Sequence, residues 1–232
     1  MRTQMNSDEL KRAVAEKAVN EYVKDGMTVG LGTGSTAYYA IKRLGERVKE
    51  EGLDIRCTAT SIRSEELAKE FGLTVLDVNE VEYNDVTIDG ADEVDPDMNL
   101  IKGLGGALLR EKIVAVASAS EVIIVDDSKL VDTLGSRCAL PVEVLQFGHL
   151  KTKEALENQR CEAVLRTVDG KPYITDNGNY IYDCKFDTIK NPFFLESRIN
   201  IIPGVVDNGM FLNIATTVLV SHKDGTITKM GQ

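Results

Sequence analysis

Apolar residues along the first half of this chain fall into two alternating rhythms, stretches with helical spacing and short unbroken runs. Ser7, a capping residue type, is followed by the acids Asp8 and Glu9 and then by Val14, Ala18 and Tyr22, which predicts a helix running to a stop at Gly26. A strand is predicted at 27–31, and after a turn at Gly32 to Ser35 the spacing of Tyr38, Tyr39, Ile41, Leu44 and Val48 predicts a second helix ending near Gly52. The alternation continues with a strand at 55–59, a helix at 63–71, strands at 74–76 and 85–88, a helix at 107–118 and a strand at 122–125. Repeated βα units predict an α/β fold built on a doubly wound, mostly parallel sheet.

Past Leu134 the pattern changes. Strands are predicted at 142–146, 163–167, 172–175 and 180–183, with a helix at 149–158. Asp176-Asn177-Gly178 separates the last two strands, and Asn-Gly is a strong hairpin signal. This implies a smaller α+β domain at 134–207, inserted into a main domain made of 1–133 and 208–232 whose closing strands lie around Phe211 and at 218–220. No internal repeat or low-complexity linker interrupts the chain.

Composition narrows the possible partners. With 232 residues, 43% of them hydrophobic, and no apolar run approaching the roughly 20 residues that span a bilayer, a folded, soluble chain with no membrane partner is expected. The N-terminus begins polar and becomes amphipathic, so no signal peptide is visible and a cytoplasmic location is expected. Thirty-seven acidic against 27 basic residues give a net charge of −10, which repels nucleic acid at long range. A phosphorylated metabolite can still bind where a few basic side chains and backbone N–H groups converge. Cys57, Cys138, Cys161 and Cys184 form no C-x-x-C pair and read as reduced thiols, most of them buried. His149 and His222 stand outside any cluster, so no metal site is expected.

The candidate chemistry concentrates in 87–112, TIDGADEVDPDMNLIKGLGGALLREK. The apolar run before Asp89 places it at a strand's C-terminal end, the edge where open α/β sheets hold ligands. Asp92 follows three residues later; the two carboxylates either share a cavity or act as turn formers. Asp95, Asp97 and Asn99 match the first half of a calcium loop, which then fails at Leu100 and Gly106, so Glu93, Asp95 and Asp97 read as a solvated acidic turn. Lys102, wedged between Leu100-Ile101 and Gly103, either binds an oxyanion at the mouth of the glycine loop or is an ordinary surface lysine. Glu111 falls early in the helix after Gly106, where the dipole favours an ionised carboxylate; spacing alone does not choose between a base and a helix-stabilising acid.

Two further positions suit phosphate. The turn Gly30-Leu31-Gly32-Thr33-Gly34-Ser35-Thr36 leads from strand to helix and is either a phosphate site, where free N–H groups and hydroxyls hold the anion, or simply a tight turn. It lacks the acid a dinucleotide site requires, since the second strand ends in Thr60-Ser61, and it lacks the lysine of a Walker loop. Lys129, after Asp126-Asp127-Ser128, either contacts phosphate or pairs with those aspartates, and Lys11 is a weaker phosphate candidate.

GTGST, TIDGADEVD, IKGLGGALLREKI, DDSKLV, LPVEV, TDNGNYIYD and PGVVDNGMF, taken together and in this order, resemble ribose-5-phosphate isomerase of the A type along nearly the whole chain. The resemblance implies interconversion of D-ribose 5-phosphate and D-ribulose 5-phosphate through a cis-enediolate, in the non-oxidative pentose phosphate pathway. It also implies a Rossmann-like main domain, a small α+β domain, no cofactor, and a homo-oligomer, either dimer or tetramer. Under it, Thr33, Gly34, Ser35 and Thr36 line the substrate site and help hold its phosphate, while Asp89, Gly90, Ala91, Asp92, Lys102, Gly103, Leu104 and Gly105 form its walls. Glu111 matches the general base, and Lys129 a substrate-binding lysine. Lys102 would stabilise the oxygen charge; Asp89 and Asp92 would divide proton transfer at the oxygens and sugar binding or opening, in either order. One departure stands out: the family commonly has Lys-Gly-Gly-Gly-Ala-Ala, whereas Leu104 interrupts the glycines here, and a positive φ is costly for leucine.

Overall fold

Asn6, not Ser7, caps the first helix. Its side chain accepts from the Glu9 amide at 3.0 Å while Glu9 reaches back to the Asn6 amide at 2.7 Å, satisfying two donors that a helix start leaves open. The computed structural model describes residues 4–231; residues 1–3 and 232, which the pattern assigns to the main domain, lie outside the described residues.

Along the chain the elements are α1 (Ser7–Tyr22), β1 (Thr28–Leu31), α2 (Ser35–Glu51), β2 (Arg56–Ala59), α3 (Ile62–Glu70) and β3 (Val86–Asp89). Next come β4 (Glu93–Val94), β5 (Leu100–Ile101), α4 (Leu108–Val116), β6 (Glu121–Asp126), β7 (Leu140–Val144), α5 (His149–Glu157) and β8 (Glu162–Leu165). The chain continues through β9 (Thr167–Val168), β10 (Lys171–Pro172), β11 (Tyr180–Lys185) and α6 (Pro192–Asn200). It closes with β12 (Val205–Asn208), β13 (Met210–Phe211), β14 (Thr217–Ser221) and β15 (Ile227–Gly231).

These elements form two compact units. The first is Met1–Ala91 with Arg110–Lys129 and Asn213–Gln232, and the second is Asp92–Leu109 with Leu130–Leu212. The segments 92–109, 130–133 and 208–212, which the sequence pattern groups with the main domain, fall in the second unit, where β13, β5 and β4 share a three-stranded sheet.

In the first unit six strands lie in the order β15-β14-β6-β3-β1-β2. All neighbours are parallel except the edge pair β14 and β15, giving the expected α/β sheet with one antiparallel edge. Val14, Ala18 and Val19 of α1 and Ile41 and Leu44 of α2 share a core with Val29, Leu31, Val86, Ile88, Val122 and Ile124 of the sheet. The strand expected at 74–76 reduces to a single bridge between Cys57 and Val75, because the chain turns almost at once into a short helical turn capped by Asp77.

In the second unit four antiparallel strands lie in the order β12-β7-β11-β8, with Leu140, Val142, Tyr182, Leu156 and Ile199 in their core. The hairpin expected across Asp176-Asn177-Gly178 is not formed. β10 pairs instead with β9, through Asp169 at φ 51° and Gly170 at φ 74°, an Asp-Gly turn of the kind that matches strand twist. The Asn-Gly turn closes on itself and is drawn to a buried carboxylate: Glu143 Oε1 accepts from Thr175 Oγ1 at 3.0 Å, Asn177 Nδ2 at 3.1 Å and Asn179 Nδ2 at 2.8 Å.

Candidate active site

In the first unit Asp89 and the turn at Thr33 lie at the C-terminal ends of β3 and β1. After β1 the chain must pass tightly over β3, and a Cβ on Gly32 would fall 2.2 Å from Asp89 Oδ1 and 2.6 Å from the Asp89 Cα; no side chain fits there. Asp89 is the last residue of β3 and is buried. Its Oδ1 accepts from the amides of Thr33 at 3.0 Å and Gly90 at 2.7 Å. Gly34, at φ 113°, occupies the N-cap of α2 with no side-chain cap, and Ser35 and Thr36 open the helix. A 17-residue helix therefore begins at this turn with Gly34 and Ser35 exposed, the arrangement that favours a bound anion.

The Thr33 hydroxyl lies among three others, 2.7 Å from Thr60 Oγ1, 2.8 Å from Ser61 Oγ and 3.0 Å from Ser64 Oγ. Ser64 Oγ in turn donates to the Gly32 carbonyl at 2.7 Å, tying the turn to the start of α3. Sequence reasoning treats Thr60-Ser61 only as a place where an acid is missing; the usable signal was a run of hydroxyl residues at the sheet's C-terminal edge. Glu111 is buried in the first turn of α4. Lys129 ends the helical turn after β6 and is half-buried; of the aspartates beside it, Asp127 lies 3.4 Å from His222 Nδ1. Lys11 lies 4.0 Å from Asp8.

In the second unit Asp92 and the glycine loop form one piece. The Asp92 amide donates to the Ile101 carbonyl at 2.8 Å, and Asp92 Oδ2 accepts from the Leu104 amide at 3.0 Å. Lys102 is 2% exposed, its ammonium 5.4 Å from the centre of the Phe211 ring, within cation–π range. Its amide donates to the Gly209 carbonyl at 2.8 Å, while a Cβ on Gly209 would meet the Lys102 carbonyl oxygen at 2.2 Å. The positive φ values of the loop fall on Gly103 at 105° and Gly106 at 81°, and Leu104 has none. Leucine at this position therefore carries no backbone strain, and its side chain is 47% exposed.

Glu93 overturns the solvated-turn reading. It is fully buried, and its two oxygens accept from the amides of Gly135 at 2.6 Å, Arg137 at 2.7 Å and Cys138 at 2.8 Å. Three N–H donors substitute for water around that carboxylate. The cysteines also differ from expectation, with Cys57 and Cys184 buried but Cys138 and Cys161 only partly so. Among the described residues no three His, Cys, Asp or Glu side chains gather as metal ligands, and no helix is long and apolar enough to cross a membrane.

The family model described as ribose 5-phosphate isomerase A (phosphoriboisomerase A) matches residues 56–225. This chain belongs to the ribose 5-phosphate isomerase A family. A family member from Gloeobacter violaceus is 50% identical over 222 residues, covering 95% of this chain and 96% of its own. The solved ribose 5-phosphate isomerase from Plasmodium falciparum is 43% identical, with a TM-score of 0.94 over 97% of this chain and 99% of that one. A D-ribose-5-phosphate isomerase solved in complex with phospho-erythronic acid is 40% identical, also with a TM-score of 0.94, over 98% and 100% of the two chains. Membership of the ribose 5-phosphate isomerase A family thus accounts for the fold class.

Proposed function

We propose that this chain is the isomerase that interconverts D-ribose 5-phosphate and D-ribulose 5-phosphate through a cis-enediolate, in the non-oxidative pentose phosphate pathway. The observation that carries the reading is family membership, with a relative named as this isomerase 50% identical over 95% of the chain. Its direct test is incubation with ribose 5-phosphate in D₂O. Ketose carrying deuterium at C1 is expected, and no ketose at all would overturn the reading.

The reaction moves one proton from C2 of the aldose to C1 of the ketose and shifts the oxygen protons to match, so it needs a base, an acid for the oxygens and a positive group near the developing oxyanion. In the first unit, Glu111 is assigned the carbon proton. Asp89 is assigned proton transfer at the oxygens. The turn Thr33-Gly34-Ser35-Thr36 is assigned the phosphate, with Lys129 as a further substrate contact and Gly90 and Ala91 as wall. In the second unit, Lys102 is assigned the oxyanion and Asp92 the binding or opening of the sugar, with Gly103, Leu104 and Gly105 as wall; the roles of Asp89 and Asp92 are exchangeable. General-base action contributes about 10² to 10⁴ in rate, and a preorganised oxyanion donor about 3 to 4 kcal/mol. Nothing but proton transfer is required, consistent with the resemblance's implication of no cofactor.

The same proposal includes a cytoplasmic homo-oligomer, dimer or tetramer, in which the main unit is a Rossmann-like catalytic domain and the other a smaller α+β domain. Solution scattering reads the oligomer directly.

A further inference from the structure

The roles above leave unused the side chain that holds the glycine loop in place. Arg166, between β8 and β9, grips Asp183 of β11 with two nitrogens, Nε to Oδ2 at 3.0 Å and Nη2 to Oδ1 at 2.5 Å. Its remaining nitrogen, Nη1, donates to the carbonyls of both Gly103 at 2.9 Å and Leu104 at 3.2 Å. The guanidinium lies 5.9 Å from the Tyr173 ring, and Tyr173 also closes the far end of the loop: a Cβ on Gly106 would fall 2.3 Å from its hydroxyl oxygen.

In a planar trans peptide the carbonyl and the N–H point in opposite directions. Holding the Gly103 carbonyl on Arg166 therefore turns the Leu104 N–H away from it, and that N–H is the donor to Asp92 Oδ2. Holding the Leu104 carbonyl turns the Gly105 N–H the same way. Gly103 is a soft hinge; the Gly106 amide donates to the Gly103 carbonyl at 3.0 Å and closes the turn, and the guanidinium reinforces that orientation while also holding the Leu104 carbonyl. Lysine offers no planar fork to hold Asp183 while reaching two carbonyls.

We propose that Arg166 is a positioning residue for the isomerisation, fixing the peptides after Gly103 and Leu104 and, through the first of them, the carboxylate of Asp92. The proposal rests on the reading that Asp92 and the Lys102 to Gly105 loop contact the substrate. Arg166 itself touches no reacting atom. Its loss should therefore appear as misplacement during turnover more than as weaker substrate binding.

The test is Arg166→Ala assayed with ribose 5-phosphate, alongside Lys102→Ala and with folding checked by circular dichroism. Arg166→Ala is expected to lose about 10²-fold in kcat, as an ångström-scale misplacement does, with KM held within about threefold. Millimolar methylguanidinium is expected to restore part of that kcat in Arg166→Ala and none in Lys102→Ala, and Arg166→Lys is expected to stay impaired. A folded Arg166→Ala with normal kcat, a change in KM alone, or a kcat loss that methylguanidinium leaves untouched overturns the proposal. If Arg166→Ala does not fold, Asp183→Asn, which loosens the grip but keeps the guanidinium, takes its place: a lowered kcat at unchanged KM supports the proposal, and an unchanged kcat overturns it. Lys102→Ala separates the two levels. If Lys102→Ala is inactive and Arg166→Ala is normal, only the positioning role falls; if Lys102→Ala is fully active, the reading of the loop as substrate wall falls and takes the proposal with it.

Discussion

The amide of Thr33 donates to Asp89 Oδ1 at 3.0 Å, so the residue assigned to the phosphate turn and the residue assigned to oxygen proton transfer are fixed to each other. Gly32 makes the contact possible, because any side chain there would occupy the space of Asp89. The relationship turns two separate sequence candidates into one rigid group at the end of β1 and β3.

Asp89→Asn keeps an oxygen for the Thr33 and Gly90 amides but removes the exchangeable acid. It should fold with a near-normal melting temperature and lose at least about 10² in kcat. Asp89→Ala removes the acceptor as well and should cost about 1 to 3 kcal/mol in urea unfolding. A wild-type kcat in the Asn variant would take Asp89 out of proton transfer.

Leu104→Gly and Gly103→Ala should behave oppositely. Leu104 has an ordinary negative φ and an exposed side chain, so glycine there should leave kcat within about twofold and lower stability by about 0.5 to 1 kcal/mol through unfolded-chain entropy. At Gly103 φ is 105° and a Cβ would lie 2.9 Å from the Leu108 side chain, so alanine should cost on the order of 1 to 3 kcal/mol and disturb turnover. Equal behaviour of the two variants in denaturant melts and assays would contradict this division of labour within the loop.

Glu93→Gln should be more damaging than its location in an acidic run suggests. The glutamine retains one acceptor oxygen but points an NH₂ at one side of the three amides that now share the carboxylate. A loss of about 2 to 3 kcal/mol in unfolding free energy is expected, whereas Asp97→Asn, on the exposed side of the same run, should change stability by less than about 0.5 kcal/mol.

Much of this architecture could be read in advance, and the reasons it could are physical. Glycines suited to the left-handed region, such as Gly52 after α2, marked helix ends, and the buried runs of β1, β3 and β6 marked a sheet covered on both faces. Short pieces were less legible. The two-residue strands β4, β5 and β13 exist because they pair with one another, a long-range condition no local pattern records. The Asn-Gly turn misled because its amide side chains are used by Glu143, a residue more than 30 positions away in the chain. Glu93 misled for the same reason: the amides that bury it come from 135–138.

The candidate site was legible where function and backbone demand coincide. Asp89 at a strand end and Glu111 in a first helical turn follow from local pattern, while their chemical roles came from the resemblance. Arg166 and Tyr173 were missed, since nothing near them in sequence signals that they serve a loop some 60 residues earlier.

The cysteines give a pH-dependent prediction. Burial pushes the Cys57 thiol up to about 12, and the Cys184 thiol is also raised, first by its hydrogen bond with Cys161 and then by burial, while that bond lowers Cys161. Iodoacetamide at pH 8 should therefore modify Cys161 well before Cys57 or Cys184, as peptide mapping would show. Because the folded Cys57 titrates above the unfolded value of about 8.5, its contribution to stability is complete below that pH. It is lost as pH rises toward 12. Faster labelling of Cys57 than of Cys161 in the native protein would contradict the burial pattern.

The central claim is that Glu111 carries the proton between C2 and C1. The most direct measurement is turnover by Glu111→Gln in D₂O with ribose 5-phosphate, following ketose formation together with deuterium at C1. A folded variant with kcat reduced by about 10² to 10⁴ and a matching loss of exchange is the predicted result, whereas near-normal ketose formation with deuterium still entering C1 would contradict the account.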